Sequence, residues 1–227
     1  MATTRLIVMR HASPRHVVEG VWGGPTADKG ITDEGRREAT LVGRRLARAP
    51  WAAEVTVYCS TLARSIETAN IVAREMGLAE PAHDCRLCSY HLPPHLDGIA
   101  VEDGLADQIP GGGVYKPFER GNEPWISLLA RSGEALFDIA QANVGRTAVV
   151  VAHGEVVQAS LVALGELPIR RHFANGNTPT GITEWTTADD LFDTGYPEWR
   201  FPAWTLVRLN DAAHLEHLEH LDRLEPA

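Results

Sequence analysis

Two stretches of this chain are apolar without alternation: Leu6-Ile7-Val8-Met9 and the run from Thr147 to Ala152. Successive side chains of a strand point to opposite faces, so an unbroken run rich in β-branched residues needs apolar cover on both sides. Such strands belong inside a sheet sandwiched by helices. Both runs stop abruptly on polar residues, the first on Arg10-His11 and the second on His153-Gly154.

Helical spacing follows these runs. Thr32 is placed to N-cap a helix carrying Leu41, Val42, Leu46 and Ala49 on one stripe. Val55–Cys59 predicts a further strand, and Thr61–Met76 a helix with Leu62, Ile66, Ala69 and Ala73 on one face, closed by Gly77. Between Cys88 and Pro124 neither period persists, and Pro93-Pro94 and Gly111-Gly112-Gly113 punctuate the segment, which predicts an insertion or lid. A helix over Trp125–Asn143, a helix opened by His153-Gly154 and running to Leu164, and strands over Thr180–Thr186 and Trp204–Leu209 complete the pattern. Strands alternating with helices predict an α/β fold: a three-layer α/β/α sandwich on a mostly parallel central sheet. Ligands of such sheets collect at the carboxyl ends of the strands, where Arg10, His11 and His153 stand.

At 227 residues and 44% hydrophobic composition the chain can bury a full core, which predicts one domain over residues 1–227 with the divergent segment at about 88–124 inside it. No apolar run approaches the roughly 20 residues that span a bilayer, and the N-terminus lacks a secretion pattern. The three cysteines, Cys59, Cys85 and Cys88, are too few and odd in number for a disulfide framework. Together these predict a cytoplasmic protein without membrane partners. A formal net charge of -9 disfavours nucleic acid, so any phosphate must meet a local positive pocket. The oligomeric state is left open, a homodimer being one arrangement the sequence allows. The leucine repeat from His214 to Leu224 predicts an amphipathic surface helix rather than a metal site on His214, His217 and His220.

Phosphoryl transfer to an imidazole requires a neutral ring nitrogen aimed at phosphorus, cations on the nonbridging oxygens, and an acid for the leaving oxygen. His11 supplies a ring, and Arg10 and Arg64 supply planar forks that bind phosphate oxygens in pairs. Arg64 opens a predicted helix and His153 precedes another, adding backbone N–H groups and partial positive charge. Alone, each residue has a structural explanation; together, four residues at equivalent ends of βα units predict a site.

These residues carry a resemblance. Leu6-Ile7-Val8-Met9-Arg10-His11-Ala12 resembles the opening motif of the histidine phosphatase superfamily, branch 1, whose members include phosphoglycerate mutases; Ala12 stands where that motif usually has Gly. Ile31-Thr32-Asp33-Glu34-Gly35, the segment Ser60–Ala69 and Val150–Gly154 resemble later motifs in the same order. The resemblance implies a phosphoglycerate mutase-like fold, with His11 as a nucleophile that becomes phosphohistidine, Arg10, Arg64 and His153 around the phosphate, and no metal or other cofactor. The implied partner is a small phosphorylated substrate.

One expected part is displaced. Members of that family usually carry a proton-donating Glu where this chain has Ser89, and a hydroxyl is far too weak an acid to replace it. Glu155, directly after His153-Gly154, is the candidate acid, with a first-turn carboxylate favoured by the helix dipole as its structural explanation. Asp97, Glu102 and Asp103 are further acids that could reach in from the insertion. Ser13, Arg15 and Trp22 are candidate substrate contacts in the loop after the nucleophile. His91 and His95 are more plausible as pocket residues than as zinc ligands with Cys85 and Cys88. Besides a phosphatase, the residues leave open a mutase-type phosphotransferase, an inactive phosphate-binding homologue, and a non-phosphoryl enzyme using His11 and His153 as acid and base.

Overall fold

The computed structural model describes residues 3–169, 177–188 and 203–216. In chain order these form β1 (Thr4–Arg10), α1 (Arg15–Val18), α2 (Asp33–Ala47), β2 (Val55–Cys59), α3 (Ala63–Met76), β3 (Ala82–His83), α4 (Val101–Gly104), α5 (Trp125–Ala142), β4 (Thr147–Ala152), α6 (Gly154–Ala163), β5 (Ile182–Thr187) and β6 (Thr205–Asp211), with short 3-10 turns between some of them. The sheet order is β3-β2-β4-β1-β5-β6. Strands β3, β2, β4 and β1 are parallel, and β5 and β6 extend that core antiparallel. The fold is α/β with a mostly parallel sheet.

Two-sided burial explains the unbroken apolar runs. Leu6, Val8, Ala148, Val150 and Ala152 pack with Leu136, Ile139, Val156 and Leu161 of α5 and α6. Ile7, Met9, Val149 and Val151 face the other way, onto Val42, Leu46, Ala69 and Val72 of α2 and α3. The Thr32 hydroxyl caps α2 by accepting from Gly35 N–H at 2.9 Å, and Gly77 ends α3 in the left-handed conformation at φ 68°.

Register sets the site. Arg10 pairs with Ala152 and Cys59 with Val151, so β1, β4 and β2 end level with one another. Backbone bonds continue past the strands: His11 N–H donates to Ala152 O at 2.8 Å, and Ser60 N–H to Val151 O at 3.3 Å. His11, Ser60 and His153 therefore emerge side by side. Ala12 is fully buried with Ile31, Ala39 and Ile71, so its extra methyl is packed rather than tolerated in open space.

The segment Cys88–Pro124 is mostly irregular, with only α4 and a 3-10 turn inside it. Cys85 lies in a 3-10 helix and not on a strand; it is exposed, whereas Cys88 is buried with Sγ 3.2 Å from Thr61 Oγ1. No helix among the described residues is long and apolar enough to cross a membrane. The C-terminal repeat lies outside the described residues beyond Glu216, so His217 and His220 do too. His214 belongs to a 3-10 turn and is buried, its ring between Arg45 and Thr180.

Candidate active site

His11 leaves the end of β1 with its ring buried. Its Nδ1 lies 2.7 Å from Ala12 O, a carbonyl that can only accept, so Nδ1 carries the proton. Nε2 then carries the lone pair, which accepts a hydrogen bond from Arg64 Nε–H at 3.2 Å. Burial, with Arg64 and Arg10 nearby, holds the pKa of His11 well below its ordinary 6.5. The ring is a neutral imidazole presenting an unprotonated nitrogen.

His153 stands beside it, the ring centroids 5.1 Å apart. Its Nε2 is 2.8 Å from Ser60 Oγ, and its Nδ1 is 3.4 Å from Arg64 NH2. A guanidinium can only donate, which assigns the lone pair to Nδ1 and the N–H to the Ser60 side. Burial, then Arg64 and His11, keep this ring neutral as well.

Arg64 is the hub of the group, and its own position is fixed by an acid the sequence analysis did not single out. Asp28 Oδ2 accepts from Arg64 NH1 at 2.9 Å and from the Arg64 backbone N–H at 3.1 Å. The two side chains are 0% and 6% exposed, for Asp28 and Arg64 respectively. Arg64 NH1 also donates to Gly23 O at 2.9 Å. Burial pulls the guanidinium below its ordinary pKa and Asp28 opposes this. The available signal was physical: a buried arginine needs a paired anion, and the loop before α2 holds one. From α3, Thr68 Oγ1 accepts from Ala12 N–H at 3.1 Å, and Ser65 Oγ donates to Val151 O at 2.7 Å, tying the helix to both strand ends.

Two adjoining voids share this ground. The inner one, of about 290 Å³, is lined by Arg10, His11, His153, Gly154, Gln158 and Asn177, together with His16, Arg64, Ser89 and Glu155. The last four also line an outer chamber of about 470 Å³, whose other walls come from residues 17–23 and from the insertion. Glu155 thus sits at the junction, where Ser89 Oγ donates to its Oε2 at 3.2 Å. The serine at the position expected to hold an acid is bonded to a carboxylate arriving from α6. Arg10 NH1 donates to Asn177 O at 2.9 Å. His16 is neutral, its pKa brought to about 4 by burial and Arg64, and its Nδ1 is buried without a hydrogen-bond partner.

Other candidates turn elsewhere. Ser13 Oγ donates to Glu38 Oε1 at 2.7 Å and Arg15 Nε to Ile31 O at 3.0 Å; neither residue lines a void described above. Trp22 lines the outer chamber only. Asp97 binds the loop after the nucleophile, accepting from the backbone N–H groups of Gly24, Thr26 and Ala27 at 2.9, 2.7 and 3.1 Å. Glu102 and Asp103 are exposed on α4, and His91 N–H donates to Glu123.

The family model described as "Histidine phosphatase superfamily (branch 1)" matches residues 6–194. The chain belongs to that superfamily. Phosphoglycerate mutase-like protein 4 of Arabidopsis thaliana is 29% identical over 93% of this chain and 86% of its own length. A mycobacterial glucosyl-3-phosphoglycerate phosphatase superposes with TM-score 0.74 at 21% identity, covering 92% of this chain and 99% of that one. Phosphoserine phosphatase from Entamoeba histolytica, solved with 3-phosphoglyceric acid, superposes with TM-score 0.67 at 23% identity, covering 93% and 98%. At these identities the two structures establish the histidine phosphatase fold, and the side chains described above must speak for the chemistry.

Proposed function

We propose that this histidine phosphatase superfamily member hydrolyses a phosphorylated metabolite through a phosphohistidine on His11. The observation that carries the proposal is the two-void site with a neutral, Nε2-unprotonated His11 in the inner void and a carboxyl, Glu155, at the junction. Phosphate enters the inner void, walled in part by His153, where the Arg10 and Arg64 guanidinium groups donate to its nonbridging oxygens and the N-terminus of α6 adds partial positive charge. His11 Nε2 attacks phosphorus, forming the N–P bond as the P–O ester bond breaks. The departing oxygen leaves toward the outer chamber and takes its proton from Glu155. Water entering from the same side then gives a proton to the Glu155 carboxylate and attacks phosphorus, releasing inorganic phosphate and restoring His11.

The Nδ1–H bond to Ala12 O serves both steps: it fixes the tautomer and stabilises the positive charge His11 gains on attack. Rapid mixing with a labelled phosphate ester, followed by a quench that preserves acid-labile groups, tests the scheme. Acid-labile, base-stable phosphate on the wild-type protein, lost in His11→Ala together with turnover, is expected. Full hydrolysis by His11→Ala would refute it.

A further inference from the structure

We infer that the outer chamber is a subsite for a bulky apolar alcohol, so that the preferred substrates are phosphate monoesters with an extended aliphatic or ring-bearing leaving group. The inference rests on the phosphatase proposal for its chemistry, but the subsite itself is a matter of binding. Its warrant is the contrast between the voids. Ionisable, amide and other polar groups dominate the inner one. Val21, Trp22, Tyr90, Leu92, Val101 and Phe118 wall the outer one, which at about 470 Å³ is the size that encloses a whole organic ligand rather than a phosphate.

These walls are built. Trp22 Nε1–H donates to Val101 O at 3.3 Å, and its indole lies against Gly104 so closely that a Cβ there would stand 2.4 Å from Nε1. The loop carrying Trp22 is laced to the insertion by backbone bonds from Trp22 N–H to Ile99 O at 2.9 Å, Gly98 N–H to Trp22 O at 2.9 Å and Val101 N–H to Gly20 O at 3.0 Å. Asp97 clamps the same loop farther along. Tyr90 and Phe118 meet edge to face at 5.8 Å. The polar wall groups Asn122 and Glu119 bond to each other, Nδ2–H to Oε2 at 2.9 Å. Phe118 and Val101 remain 39% and 40% exposed, an apolar surface left for a ligand to cover.

The scissile bond is located by the residues common to both voids, His16, Arg64, Ser89 and Glu155. An ester whose phosphorus faces His11 extends its carbon chain past them onto the apolar walls. Each methylene transferred there should tighten binding about fourfold.

Non-hydrolysable alkylphosphonates separate this from catalysis. Calorimetry with ethyl-, butyl- and hexylphosphonate on the intact chain should show affinity rising about fourfold per methylene, with 3,4-dihydroxybutylphosphonate, the non-hydrolysable counterpart of glycerol 3-phosphate, binding more weakly than hexylphosphonate. Val101→Trp should cost hexylphosphonate about tenfold and leave ethylphosphonate unchanged; Phe118→Ala, which removes one wall, should lower the gain per methylene and serves if the first variant does not fold. Equal affinities along the series, tighter binding of 3,4-dihydroxybutylphosphonate, or an undiminished chain-length gain in the folded variants would overturn the inference. Chain-length dependence without any phosphohistidine would instead sink the phosphatase proposal and leave the subsite standing.

Discussion

The two voids are made by different means. Strand ends build the inner one: three parallel strands stop level, and the next residue or the following helix delivers His11, Arg64 and His153. The outer one is built mainly by loops, residues 20–24 and 90–122, joined by the single helical turns α1 and α4, with hydrogen bonds between loops in place of sheet pairing. The difference teaches where tolerance lies. A side chain rooted in a buried strand end cannot move without moving the core, whereas a loop wall can change its residues while its backbone bonds hold. Chemistry should therefore fail when the first region is altered, and selectivity should shift when the second is.

The widest separation after His11→Ala is expected at the Ser89–Glu155 hydrogen bond of the junction, to which each region contributes one residue. Glu155→Gln should lower kcat by about 10²–10⁴-fold for alkyl phosphates, the range for loss of a general acid. The loss should shrink sharply for p-nitrophenyl phosphate, whose leaving group needs no proton. Ser89→Ala, altering the insertion's side of the same hydrogen bond, should stay within about fivefold, the scale of one neutral hydrogen bond. Equal losses in both variants, measured over a leaving-group series, would dissolve the assignment of the acid to α6.

Asp28 comes next, because it belongs to the loop in sequence and to the inner void in effect. Asp28→Asn keeps an oxygen for Gly30 N–H, bonded at 3.0 Å, but leaves Arg64 a buried cation without its anion. Denaturant unfolding should show a loss of about 3 kcal/mol, the lower end for breaking a buried pair. Misaimed guanidinium should lower kcat/KM about 10- to 100-fold. Unchanged stability and activity would mean that Gly23 O and the two histidines hold Arg64 unaided.

The same contrast decides what the sequence made legible. Arg10, His11 and His153 are legible as strand ends, since an apolar run that stops on a charged or ring residue marks one, and Arg64 as the opening of the helix after β2; their joint placement and the family resemblance, not period alone, made them a candidate site. The order of the strands does not follow, because pairing β1 between β4 and β5 depends on tertiary crossovers. Strand β3, two residues long, carries no period to detect. Asp28 and Asp97 lie in Gly- and Pro-rich stretches where an acid looks the same whether it is solvated or clamps a buried group. Their roles are set by partners distant in sequence: Arg64 for one, and the N–H groups of Gly24, Thr26 and Ala27 for the other. Ser13 and Arg15 follow the nucleophile along the chain, yet Glu38 of α2 and Ile31 of the loop before it supply their partners.

The smallest expected effect lies behind Arg10, at the antiparallel side of the sheet. Thr180 N–H donates to Arg10 O at 3.0 Å, and Thr180 Oγ1 lies 2.9 Å from His214 Nε2. Thr180 gives its own hydroxyl proton to Pro179 O at 2.7 Å, so His214 must donate from Nε2 and accept from Arg45 NH1 at Nδ1. A second proton on that ring would face the Arg45 guanidinium. Burial and Arg45 accordingly bring the pKa of His214 to about 4, below its ordinary 6.5, with Asp211 opposing. Between these values the unfolded chain binds the proton and the folded chain does not, so stability present above pH 6.5 declines as pH falls toward 4. His11, His16 and His153 contribute with the same sign, so the informative quantity is a difference. His214→Gln, which can still donate to Thr180, should flatten the fall in melting temperature between pH 7 and pH 4 by several degrees, about 2–4 °C for each ~1 kcal/mol of linkage in a chain of this size. Parallel melting curves for the two proteins across that range would show that His214 titrates as freely as in the unfolded chain, and that Arg10 has no pH-sensitive support.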